Sequence, residues 1–140
     1  VEAKGANEKG TPWHISIDMP VENNQATVHE SALVIALNGK AVATSGNYRK
    51  FKEVNGKKVS HIVNPLTGKS EESTLLSATI VAPDCMTADA WATACMAMGT
   101  ERTQALFEKR TDLGVMTIST DTEGNFIVWS NAPFAALLPK

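Results

Sequence analysis

Asp89 and Thr93 stand four positions apart in the segment Ala88-Asp-Ala-Trp-Ala-Thr-Ala94, so a helix there puts a carboxylate and a hydroxyl on one face. Two oxygen donors at that spacing suit a hard cation such as Mg2+ or Ca2+. Thr87 reads as the N-cap and Gly99 as the residue that ends the helix, which predicts a helix over 88–98. Asp89 then falls in the first turn, where free N–H groups and the helix dipole favour anions, a diphosphate included. The pattern also has a plainer explanation, an acid complementing the dipole beside a tolerated small residue. Spacing alone favours that plainer one, because acidic first turns are common.

Other residues offer chemistry with less context. His61 precedes Ile62-Val-Asn-Pro-Leu-Thr-Gly68, where Asn-Pro and Thr-Gly mark a tight turn. A histidine there can act as a general base or bind a ligand, or simply end a strand. Thr44-Ser-Gly-Asn47 lies where a strand stops; its small side chains let a ligand approach the backbone, though a turn uses the same residues. His14 and His29 have no partner pattern and read as structural or surface residues. Cys85 and Cys95 match no zinc spacing and read as buried thiols. The three tryptophans read as core or rim packing.

The helix that carries Asp89 has an apolar stripe of Trp91, Ala94, Cys95 and Met98. Its other side holds Ala92, Met96 and Ala97 where Lys, Glu or Gln would be usual, and Asp89 is its one charge. A helix apolar nearly all round is expected to be buried, which would leave Asp89 poorly solvated and in need of a partner or a metal. Thr100 can cap a second, amphipathic helix over 101–110. Strands are expected at 13–18, at 31–37 with Asn38-Gly39 as a hairpin turn into 41–44, and at 48–54 and 58–63 around Asn55-Gly56. Further strands are expected at 77–81, and at 115–119 and 126–130 around a turn at 121–125. Residues 1–10 read as an entry loop or a frayed edge and 19–30 as a polar connection. Two adjacent helices among hairpin-linked strands predict an α+β domain with a largely antiparallel sheet.

The chain has 140 residues, 43% hydrophobic and 20% charged, enough for one domain to bury a core without staples. Thirteen basic against 15 acidic residues give a net charge of −2, which argues against nucleic-acid binding. The longest apolar runs reach only strand length, too short for a membrane span. The first residue is Val rather than Met, so a removed signal or a longer parent chain is expected.

Three segments together resemble one family. Ala43-Thr-Ser-Gly-Asn-Tyr-Arg49, Ser60-His-Ile-Val-Asn-Pro-Leu-Thr-Gly68 and Val81-Ala-Pro-Asp-Cys-Met-Thr-Ala-Asp-Ala-Trp-Ala-Thr-Ala94 are similar, in order and approximate spacing, to the C-terminal half of the ApbE-like FAD:protein FMN transferases. Val1-Glu-Ala-Lys-Gly5 followed by Pro12-Trp-His-Ile-Ser-Ile-Asp18 resembles the segment after that family's glycine-rich region.

The resemblance implies that FAD is cleaved with the help of Mg2+, that FMN passes to a Thr or Ser of an acceptor flavoprotein subunit, and that AMP leaves. It implies Asp89 and Thr93 as metal ligands, His61 near the reaction centre, and Thr44, Ser45, Gly46 and His61 at the nucleotide. It also implies a periplasmic or cell-surface enzyme, lipid-anchored through a preceding segment. Residues 1–140 would be its C-terminal portion, without the flavin-binding half and one or more metal ligands. Two alternatives stay open: an FAD pyrophosphatase giving FMN and AMP, and a non-catalytic flavin-binding or interaction module.

Overall fold

A computed structural model of the chain describes residues 1–20, 31–47, 51–54, 57–60, 62–70 and 73–139, the side chains of 31, 32 and 51–60 aside. The strands are β1 (Glu2–Ala3), β2 (Trp13–Asp18), β3 (Ser31–Leu37), β4 (Lys40–Gly46), β5 (Phe51–Val54), β6 (Lys57–Ser60), β7 (Leu75–Ala82), β8 (Gly114–Thr120) and β9 (Phe126–Ser130). The helices are α1 (Cys85–Met98), α2 (Thr100–Phe107) and the short α3 (Ala132–Ala135). This is the expected α+β arrangement, with an antiparallel sheet and two consecutive helices.

β7 reads Leu-Leu-Ser-Ala-Thr-Ile-Val-Ala without polar alternation because both of its faces are covered. It lies at the centre of a five-stranded antiparallel sheet ordered β1-β4-β7-β8-β9. Ala78, Ile80 and Ala82 face one way and pack with Val115 of β8 against Ala88, Ala92, Cys95 and Met96 of α1 and Phe107 of α2. Val42, Val81, Met116 and Ile118 face the other way, against Ile17 and Ile35 of the β2–β3 pair and Phe134 of α3. Two apolar layers therefore sandwich the sheet, and the period of two along each strand assigns its residues between them.

Local chemistry ties the layers together. A Cβ on Gly114 would lie 3.3 Å from Phe134 Cα and from Val81 Cβ, so the smallest residue lets α3 seat against β8. The buried Asn131 accepts from the Val115 and Phe134 N–H groups at 2.9 and 3.2 Å. Its amide nitrogen donates to the Leu113 carbonyl at 2.9 Å. Its polar atoms are thereby satisfied at the junction of β8, β9 and α3.

Several expectations need correction. Asn38-Gly39 does form a turn with Gly39 at φ 65°, but it does not close a hairpin. β3 pairs with β2 through Leu37↔Trp13, whereas β4 pairs with β1 and β7. The Gly39 N–H donates to the Ala3 carbonyl at 2.8 Å. A turn dipeptide specifies a local backbone conformation and leaves open which strands then pair. Residues 1–10, expected as an entry loop or a frayed edge, contribute the two-residue β1 at the sheet edge. α2 begins at Thr100 and stops at Phe107, and the Thr100 hydroxyl lies 3.1 Å from that of Thr74 instead of capping. β5 and β6 pair antiparallel as expected, although β6 stops at Ser60 rather than at 63 and the turn at Asn55-Gly56 lies outside the described residues; β8 and β9 pair antiparallel as expected too.

Candidate functional site

The position of Asp89 depends on where α1 starts. Asp84, not Thr87, is the N-cap: its Oδ1 accepts from the Thr87 N–H at 2.8 Å, and the Thr87 hydroxyl donates to its Oδ2 at 2.8 Å. Those two bonds from Thr87, backbone first, hold the Asp84 carboxyl below the ordinary carboxylate range. A carboxylate three residues upstream accepts from the Thr87 N–H, so Thr87 is the third residue of the helix and not its cap. The helix thus begins three residues earlier than the sequence suggests. Asp89 is its fifth residue, and no acid lies in the first turn. Gly99 ends the helix at φ 79°, its N–H bonded to the Cys95 carbonyl at 3.0 Å.

The buried face of α1 is also rotated from the expected stripe. Ala88, Ala92, Cys95 and Met96 are in the core, with Trp91 and Met98 flanking them. Trp91 meets Phe107 edge-on at 5.3 Å and the Arg110 guanidinium at 4.7 Å, so its large ring closes the side of the core. Asp89 is exposed, which corrects the expectation of a poorly solvated carboxylate. α1 is an outer layer with one covered face, and its other face has a separate reason to be apolar.

That reason is a cleft of about 920 Å3, walled on one side by Ala90, Thr93, Ala94 and Ala97 of α1. The end of β4 supplies Thr44, Ser45 and Gly46, the end of β2 supplies Ser16, Ile17 and Asp18, and Ile62, Val63 and Pro65 complete the lining. Successive β4 side chains point to opposite faces, so the cleft wraps round the end of the strand. Ser45 points to α1, its Oγ 3.3 Å from Thr93 Oγ1. Thr44 points the other way, its Oγ1 2.8 Å from Thr79 Oγ1. Asn47 ties the end of β4 to β7, donating its N–H to Leu76 O and its side-chain amide to Leu75 O, both at 3.1 Å.

Four of the six candidate residues, Thr44, Ser45, Gly46 and Thr93, therefore share one cleft although 48 positions separate Ser45 from Thr93. Asp89 lies one turn before Thr93 on the exposed side of α1 and is not part of the lining. The expectation for His61 lies outside the described residues. Asp18 was missed. Its place at the end of an alternating strand carries no signal, and only the packing of the β2–β3 pair against the five-stranded sheet brings it to the cleft.

A carboxylate and hydroxyls are the donors a hard cation takes, so Asp89 and Thr93 fit part of a Mg2+ shell. Among the described residues no group of three His, Cys, Asp or Glu forms a complete one. The thiols do not contribute. Burial pushes Cys95 up to about 11, and Cys85, expected to be buried, is exposed at the first position of α1.

A model of the ApbE family matches residues 1–117. The chain is 35% identical over 138 residues to the FAD:protein FMN transferase of Salmonella typhimurium, covering 99% of this chain and 38% of that protein. With the enzyme of the same name from Vibrio cholerae it shares 36% over 140 residues, 100% of this chain and 40% of that one. Its fold superposes on the flavin transferase ApbE from Vibrio cholerae with a TM-score of 0.74 at 36% identity, over 96% of this chain and 40% of that one. On the apo flavinyl transferase ApbE of Pseudomonas stutzeri it scores 0.77 at 30% identity, over 98% and 40%. The chain thus spans about two fifths of the length of these relatives. It belongs to the ApbE family.

Proposed function

We propose that this chain is the C-terminal portion of a Mg2+-dependent FAD:protein FMN transferase. Its acceptor is a Thr or Ser hydroxyl on a partner flavoprotein subunit. What carries the reading is the meeting of Ser45 and Thr93 across a cleft of about 920 Å3, in a family member whose relatives bear that name. That volume lies in the upper range of small-molecule sites, roughly 300–1,000 Å3.

In this reading Thr44, Ser45 and Gly46 bind the nucleotide, their small side chains allowing it close to the main chain. Asp89 and Thr93 would hold the cation with their oxygens. Bound Mg2+ offsets negative charge on the diphosphate oxygens. The acceptor oxygen forms a bond to the FMN phosphorus, the bond from that phosphorus to the AMP oxygen breaks, and AMP leaves with the electron pair. The acceptor's proton passes to a base, a role we assign to His61. His61→Ala in the intact protein should lower kcat more than FAD affinity; lost FAD binding with normal turnover of the bound fraction would assign His61 to binding instead.

The isolated 140 residues should fold without turning over FAD, because part of the pocket belongs to the remaining length of the protein. We place the intact enzyme on the periplasmic side of the inner membrane, anchored by a lipid on a preceding segment. Among the described residues no helix is long and apolar enough to cross a membrane. The test is to incubate the intact protein with FAD, Mg2+ and a candidate acceptor subunit. Flavin on the acceptor together with AMP supports transfer. Free FMN and AMP with an unlabelled acceptor indicate a pyrophosphatase, and no AMP at all overturns catalysis in favour of a flavin-binding module.

A further inference from the structure

We propose that Thr79, buried in β7, is a positioning residue for the cleft: its hydroxyl donates to Thr44 Oγ1 and so commits Thr44 to donate its own proton to an oxygen of the bound nucleotide. The inference rests on the reading of Thr44 as a nucleotide-binding residue. It adds the direction of that hydrogen bond and the side chain that fixes it.

Thr44 and Thr79 are directly opposed in the antiparallel pair of β4 and β7. The Asn47 N–H, three positions on, bonds to Leu76 O. Thr44 and Thr79 therefore form a non-hydrogen-bonded pair, in which opposed side chains approach most closely. Their hydroxyl oxygens lie 2.8 Å apart. Around Thr79 this face of the sheet is apolar. Met116 of β8 stands opposite it and Val81 follows two residues on, both in the core layer beneath β2 and β3. Valine has the same branched shape, so packing alone does not call for a hydroxyl here.

The distance between two hydroxyl oxygens does not say which one donates, but their burial does. Thr79 is 0% exposed, and Thr44 Oγ1 is the one partner its hydroxyl has among the described residues. If Thr44 donated, the Thr79 proton would be buried without an acceptor, which costs its full desolvation. Thr44 is exposed on the lining of the cleft, so its proton can go to water or to a ligand at no such cost. The favoured arrangement runs from Thr79 to Thr44, with the Thr44 proton directed away from Thr79. Hydroxyls linked in a chain polarise one another, which makes Thr44 the stronger donor. The second hydroxyl pair of the cleft behaves differently. Ser45 and Thr93 are 3.3 Å apart and neither is buried, so either can donate and no direction is fixed. The Thr44 wall thus selects a ligand that presents an acceptor oxygen there, of a phosphate or of a flavin carbonyl, over one that presents an N–H.

FAD binding by the intact protein, titrated in EDTA so that Mg2+-dependent turnover does not consume it, tests the arrangement. Thr44→Val should weaken binding by at least about 10-fold, as loss of a hydrogen bond to a ligand oxygen does. Thr79→Val should weaken it by at least about 5-fold, with Tm little changed because Thr44 then bonds to water. Thr79→Ser keeps the donor and should bind within about twofold of wild type. The double variant should bind no more weakly than Thr44→Val alone, within about twofold, because both changes remove one and the same bond. Wild-type affinity in Thr79→Val beside a weakened Thr44→Val overturns the proposal. So do losses that simply add, since Thr79 would then act by another route. Wild-type affinity in Thr44→Val overturns it together with the nucleotide-binding reading of that residue. ADP and riboflavin, titrated separately, tell a phosphate oxygen from a flavin carbonyl by which of them Thr44→Val weakens. If the cycle holds and the intact protein releases no AMP with Mg2+, the transferase reading fails and the role of Thr79 stands.

Discussion

The two faces of α1 are nearly alike in composition and opposite in purpose. Ala88, Ala92, Cys95 and Met96 pack into the core, while Ala90, Thr93, Ala94 and Ala97 wall the cleft. Both faces are built from small or apolar residues, and the helix carries one charge, Asp89. A small residue in the core allows α1 to approach β7 closely; on the outer face it leaves room for a ligand. Lack of charge on a helix face reports that something lies against it. It does not report whether that something is the rest of the fold or a bound molecule.

The sharpest way to break the comparison is to put one substitution on both faces. Ala92→Lys should unfold the protein or cost more than about 4 kcal/mol, because an unpaired ammonium enters the core. Ala90→Lys should leave stability within about 0.5 kcal/mol and block nucleotide binding. Urea unfolding and FAD titration of the two variants separate the roles, and equal stability losses would refute the division of faces.

The next effect is on activity. Under the proposed transferase reading, Asp89→Ala and Asp89→Asn in the intact protein should each lower Mg2+-dependent turnover by at least about 100-fold, comparable to losing a major electrostatic contribution at a reaction centre. Thr93→Val should cost less, since a neutral hydroxyl brings less charge to the cation. Thermal unfolding should change little for Asp89, which is exposed. An unchanged Mg2+ dependence in both Asp89 variants would remove it from the metal site.

Cysteines sharpen the inside–outside contrast with a smaller signal. Cys85 should react with a thiol reagent in the native protein and Cys95 only after unfolding. Burial raises the Cys95 thiol from 9.0 to about 11, so the native state keeps a proton that the unfolded chain loses. Its contribution to stability is complete below pH 9 and declines as pH rises from about 9 to 11, by at most about 1.4 kcal/mol per pH unit. Unfolding curves of wild type and Cys95→Ala across that range isolate this slope. The smallest expected effect is at the start of the helix. Asp84→Ala should lower Tm slightly where Asp84→Ser does not, because serine still caps. The lowered Asp84 carboxyl stabilises above its ordinary range near pH 4, and that benefit disappears as pH falls.

Much of the fold was legible because it depends on neighbours in sequence. The alternation in Trp13–Asp18, the uninterrupted apolar run of β7 and the glycine ending α1 each have a local cause. The candidate site was legible in part. Small residues where β4 stops suggested close ligand approach, and a helix with one charge suggested something lying against it. Asp18 escaped notice, since its carboxylate matters only through what packs beside β2. The reach of Asp84 to Thr87 has no sequence signal stronger than that of Thr87 itself, and its two hydrogen bonds move Asp89 out of the first turn.

By itself the sequence determined which segments extend and which coil, the α+β class, and the poverty of charge around Asp89, because periodicity and capping act over a few residues. Only the tertiary structure decided that the turn at Gly39 leads from one sheet into another, that Ala92 is inside and Ala90 outside, and that Ser45 meets Thr93. Those outcomes depend on which surfaces meet through space. Strand partners and the rotation of a helix about its axis are chosen by burying the largest apolar area at once across the whole chain. No window of neighbouring residues contains that information.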